Sequence, residues 1–84
     1  MLDDSEALQR RIVAARRRTM GEEHFRTLEA HFHLACILVL RQKFDEAREL
    51  QRRVLPVARR VLGPDDEVTR GLASPDFLEP SRYQ

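Results

Sequence analysis

Three side chains able to bind metal or act as nucleophiles fall close together in this sequence: His31, His33 and Cys36. Imidazole and thiolate are zinc ligands, and a cysteine beside a histidine can be a nucleophile. On a helix His33 and Cys36 share a face while His31 points elsewhere, and no fourth ligand is spaced nearby. No metal site is expected. Nothing at a recognisable spacing supplies an oxyanion hole or an orienting acid, and the three glycines are isolated, so no phosphate-cradling loop exists. The chain is expected to be no enzyme and to carry no cofactor.

The other candidate chemistry is cationic. Arginine occurs 14 times against one lysine, Lys43, and clusters at Arg10-Arg11, Arg16-Arg17-Arg18, Arg52-Arg53 and Arg59-Arg60. Such clusters could touch phosphates. Against that, Glu6 precedes Arg10 by four, Glu49 precedes Arg53 by four and Glu46 lies near, the pattern of a solvated helix face. Fifteen basic residues meet 14 acidic ones, leaving a net charge of +1, and few aromatics interleave for base stacking. Nucleic-acid binding by an arginine-rich helical domain is the alternative reading, not the leading one.

The elements that carry these residues read as helices. With 84 residues, 42% hydrophobic and 35% charged, the chain is one small domain. A first helix is expected over residues 3–20, acidic at its start and basic at its end, with Leu8, Ile12 and Ala15 on one face and Gly21 as its stop. A second, over residues 25–40, is apolar on several sides of its later half (Leu34, Ile37, Leu38) as well as along Leu28, Phe32, Ala35 and Val39; it must be central. Arg41-Gln42-Lys43 is too short for anything but an antiparallel hairpin.

The third helix, residues 45–62, presents Ala47, Leu50, Val54, Val57 and Val61 and stops at Gly63-Pro64. Pro56 interrupts its backbone ladder, which predicts a kink near Arg52-Arg53 rather than two helices, because the stripe resumes in phase. A short fourth helix is expected over residues 66–73. Pro75 and Pro80 end the pattern, so residues 74–84 form an irregular tail that keeps Phe77, Leu78 and Tyr83; it either stays mobile, the favoured reading, or packs back on the repeat.

The chain also repeats itself. A shift of 42 residues lays Asp3 on Asp45, Leu8-Gln9-Arg10-Arg11 on Leu50-Gln51-Arg52-Arg53, Arg17-Arg18 on Arg59-Arg60, Gly21 on Gly63 and Thr27 on Thr69. With Thr27, Leu34-Ala35 and Leu38 in one helix, Phe44-Asp45-Glu46-Ala47 opening the next, and the closures Leu62-Gly63-Pro64-Asp65-Asp66 and Met20-Gly21-Glu22-Glu23-His24, the chain resembles the tetratricopeptide repeat. The resemblance is to the long, 42-residue variety of kinesin light chains, over residues 3–73. It departs from that pattern at Gln42, where the hairpin turn usually has glycine, at His33, where an asparagine is frequent, and at Pro56. Barely two copies are present, where such arrays normally need about three.

The resemblance implies an all-α antiparallel helix-hairpin repeat array, three main helices and a short fourth, acting as a non-catalytic protein-interaction scaffold. It further implies that the second helix lines a groove with Glu29, Phe32, His33, Cys36 and Val39, meeting a peptide, a partner helix or a second copy of the chain as a homodimer. A fragment of a longer repeat-containing regulator is a further alternative. One cysteine, Cys36, cannot form an internal disulfide, and the longest apolar run, residues 34–40, is too short to cross a bilayer. A cytoplasmic location with no membrane contact is expected.

Overall fold

The computed structural model describes residues 2–74, with side chains from Asp4 onward. Four helices follow one another: α1 (Leu2–Met20), α2 (Phe25–Leu40), α3 (Phe44–Leu62) and α4 (Glu67–Ala73). The expected tail, apart from Ser74, lies outside the described residues. Glycine ends both long outer helices, as its positions suggested: Gly21 and Gly63 take φ of 91° and 88°, where a side chain would strain the backbone. Each donates its N–H back into the helix it closes, to the carbonyls of Arg17 and Arg59, at 3.1 Å in both cases. The next helix then starts on a side-chain cap. His24 Nδ1 accepts from the Arg26 N–H, and 42 residues on Asp66 Oδ1 accepts from the Val68 N–H.

The repeat continues in the bonds between helices. The Thr27 hydroxyl donates to the Arg16 carbonyl and the Thr69 hydroxyl to the Ala58 carbonyl, at 3.3 and 3.2 Å. Gln9 Nε2 donates to the Ala30 carbonyl, and Gln51 Nε2 to the Leu72 carbonyl. All four pairs obey the 42-residue shift, so α1–α2 and α3–α4 are two examples of one packing unit.

α2 is the centre and touches all three other helices. Its buried arc is Thr27, Leu28, Ala30, His31, Leu34, Ala35 and Leu38. Ala30, Ala35, Ala47 and Ala58 have no exposed surface, and such small side chains let helix backbones approach closely. Leu28, Leu38 and Leu72 are almost fully enclosed, each contributing roughly 2 kcal/mol of apolar burial. The expected α3 stripe holds at Ala47, Leu50, Val54 and Val57 but not at its end, and the α1 stripe is rotated from the expected face. On α3, Val61 is exposed and Ala58 is buried in its stead, because α4 packs beside the arc that carries Ala58. On α1 the side facing α2 carries Gln9, Val13 and Glu6, leaving Leu8 57% exposed.

Pro56 neither ends nor splits α3, which runs unbroken through it. It lies on the exposed side, where water can serve the Arg52 carbonyl deprived of its helical donor. The hairpin turn between α2 and α3 is tight despite lacking glycine. The Lys43 N–H donates to the Leu38 carbonyl and the Gln42 N–H to the Val39 carbonyl, closing a Schellman motif that places Gln42 at φ of 64°.

A carboxylate secures that turn from α1. Glu6, only 6% exposed, accepts from Arg10 at 2.9 Å, from Lys43 at 3.1 Å and from Arg41. Arg10 extends the cluster to Glu46. The bond from Arg10 and those from Lys43 and Arg41 outweigh burial and hold the Glu6 carboxyl down to about 2 from an ordinary 4.5. The sequence pattern of a solvated Glu6–Arg10 pair is thereby corrected. Lys43 and Arg41 fold over Glu6 from the hairpin.

Relieving the left-handed strain gives the first prediction. Gln42→Gly should raise stability by about 0.5–1 kcal/mol, read from urea unfolding; an unchanged or lower midpoint would contradict the strain. The second concerns acid. A folded-state pKa below the unfolded value contributes stability that is present above the ordinary carboxyl pKa and lost as pH falls toward the folded value. Stability should therefore drop as pH goes from about 4.5 to about 2, and Glu6→Gln should flatten that limb in pH-dependent melting.

Candidate partner-binding surface

α2 has two unlike sides. On the inner side His31 is 2% exposed and floors a crevice of about 200 Å³, where Arg17 of α1 and Arg53, Val54 and Val57 of α3 converge. Its Nε2 lies 3.7 Å from a Glu22 oxygen, and its Nδ1 is buried with no hydrogen-bond partner. Burial, helped by the nearby Arg53 charge and opposed by Glu22, lowers the His31 pKa, so the imidazole is neutral near pH 7.

The outer side carries Glu29, Phe32, His33, Cys36 and Val39, all within one arc at 100° per residue. His33 is exposed and the other four are half-buried. The structure thus separates His31 from His33 and Cys36, and among the described residues no three His, Cys, Asp or Glu side chains group as a metal would need. Phe32 and His33 are brought together, with ring centroids 6.0 Å apart and planes tilted by 43°. Glu29 leans to the edge, 3.8 Å from Arg16 and 4.0 Å from Arg26. Burial raises the pKa of the Cys36 thiol, which keeps it protonated and a poor nucleophile. Val39 partly joins the core.

Sequence reasoning missed the contribution of α4. The Phe32 ring lies over Gly71 so closely that a methyl group there would sit 2.5 Å from Phe32 Cε1. Glu67, Arg70 and Ser74 rim the open hollow of about 560 Å³ that results. The available signal was a glycine inside a seven-residue helix, which often marks a close approach. Phe25 and Leu40, both exposed, extend the apolar character to the two ends of α2.

A family model described as tetratricopeptide repeat matches residues 1–60. The chain belongs to that family. No curated protein and no solved structure matches it. Tetratricopeptide repeats generally mediate protein–protein interaction, and the all-α hairpin array found here is their architecture. Within it, α2 and α3 form the hairpin closed at residues 41–43, flanked by α1 and α4. No helix of the described residues is long and apolar enough to cross a membrane.

The unsatisfied histidine gives a prediction at the core of this repeat. A depressed histidine pKa means that protons bind the unfolded chain better, so stability falls as pH drops below the ordinary value of 6.5. His31→Leu should remove that part of the dependence and raise stability by roughly 1 kcal/mol or more at pH 7, by eliminating an unpaired buried nitrogen. Calorimetric melting at pH 7 and at pH 5 checks both.

Proposed function

We propose that this chain is a non-catalytic interaction module of the long, kinesin-light-chain-like repeat type. It recognises a peptide or partner helix across the outer face of α2 and α4. The period of 42 residues, followed by the Gln9/Gln51 and Thr27/Thr69 bonds within the two packing units, supports the subtype. The observation that carries the binding reading is the Phe32–Gly71 approach: an aromatic floor between Glu67 and Arg70, able to take an apolar side chain with polar groups on either hand. His33 supplies an exposed hydrogen-bonding group, Cys36 and Val39 continue the apolar strip, and Glu29 bounds it. A reducing, cytoplasmic setting is part of this reading and rests on Cys36 as the sole cysteine.

The test is selection of binding peptides from a random display library against the intact chain, followed by amide shift mapping. Shifts should gather at Phe32, His33, Cys36 and Gly71, and Phe32→Ala should weaken binding by roughly tenfold or more. Shifts confined to other surfaces would sink the assignment. Light scattering across a concentration series addresses self-association: a dimer abolished by Phe32→Ala would give this face to a second copy as a homodimer instead.

A further inference from the structure

We propose that the cleft between α1 and α3, on the side of α2 away from Phe32, is a binding site for a phosphate-type oxyanion. Arg10 and Arg17 of α1 and Arg53 of α3 wall a hollow of about 170 Å³, floored by His31 with Val13 and Leu34. None of the residues lining it is acidic. Three guanidinium groups from two helices bring forked donors to one hollow, which suits a multiply charged oxyanion better than a single carboxylate. The floor carries a second, independent signal. His31 Nδ1 is the one buried side-chain nitrogen or oxygen among the described residues without a hydrogen-bond partner. Buried polar atoms ordinarily have one, so an unpaired atom beside a cationic hollow marks a place for a ligand.

The carboxylates nearby leave one charge uncovered. Arg10 is held by Glu6 and Glu46, and Arg17 by Glu22 at 2.5 Å. Arg53 forms no ion pair among the described residues, and Glu49, four residues before it, leans instead to Arg52 at 3.7 Å. Glu22 shows what this cleft accepts: one of its oxygens meets Arg17 while the other stands 3.7 Å from His31 Nε2. It is a rim group, 56% exposed, and borders only the adjoining crevice of about 200 Å³. Arg17, His31 and Arg53 line both hollows, and Leu28, Val54 and Val57 give the second an apolar wall that could receive the organic part of a phosphate ester. The charges facing His31 are those of Arg10 and Arg17 from α1, Glu22 from the turn before α2 and Arg53 from α3. An added anion would offset Arg53 and Arg17 and favour the imidazolium, so anion binding and proton uptake at His31 are linked.

The test titrates inorganic phosphate into the intact chain at constant ionic strength, followed by amide and arginine side-chain shifts. Saturable binding in the millimolar range is expected, with shifts at Ala14, Arg17, His31 and Arg53. Arg53→Gln, at an exposed position where circular dichroism should show an intact fold, should weaken it by roughly tenfold. Glu22→Gln, which frees Arg17, should tighten it. Sulfate, whose charge is constant over this range, should bind more tightly at about pH 5.5 than at about pH 7.5, and His31→Leu should remove that difference. Phenyl phosphate binding more tightly than inorganic phosphate would give the site to an organic phosphate, and equal affinity to the free anion. Phe32→Ala should change none of this, which separates the cleft from the α2–α4 surface. The proposal is overturned by shifts that do not saturate at tens of millimolar phosphate, by shifts spread over the arginines of all four helices, by sulfate binding that ignores pH, or by binding that Arg53→Gln and Glu22→Gln both leave unaltered.

Discussion

The packing of this molecule depends on a hydroxyl reaching a carbonyl across two helices. Thr27 enters α2 completely buried and donates to Arg16 near the end of α1, and Thr69 repeats the act on Ala58. A buried hydroxyl without a partner costs free energy, so the bond is close to obligatory once the helices meet. It fixes the rotation of α2 about its own axis. With that rotation fixed, Ala30 and Ala35 face inward and allow close approach, and Gln9 can reach the Ala30 carbonyl. The opposite arc, from Glu29 to Val39, is left outside by the same constraint.

Much of this was legible in the sequence because it is written in local chemistry. Gly21 and Gly63 end helices since few other residues tolerate their backbone angles, and the polar break at residues 41–43 permits only a hairpin. The family resemblance and the 42-residue period were legible from Thr27, Phe44-Asp45-Glu46-Ala47 and Leu62-Gly63. The candidate site was legible as a set of residues on one arc of α2. What could not be read was context. Leu8 and Leu50 are the same residue at the same repeat position, and only the neighbour decides that one is covered and the other open. Glu6 looked like half of a surface ion pair because its other partners, Arg41 and Lys43, lie far along the chain. Gly71 gave no hint of which ring would cover it.

The arginines show how composition misleads about fields. Arg10, Arg17, Arg41 and Arg60 each hold a carboxylate, so a chain rich in guanidinium groups presents a patchwork rather than a basic stripe. Several of these pairs lie on exposed surface, where an ion pair contributes little to stability.

The Glu6 clasp has a kinetic side. It joins α1 to the hairpin across 35 residues of chain, whereas the α2–α3 turn closes within three. Local hairpins assemble before distant ends meet, so a contact of this span belongs to the later part of folding. Interactions made after the transition state govern the rate of unfolding far more than that of folding. On that argument, loss of the Glu6 bonds is expected to speed unfolding more than it slows folding.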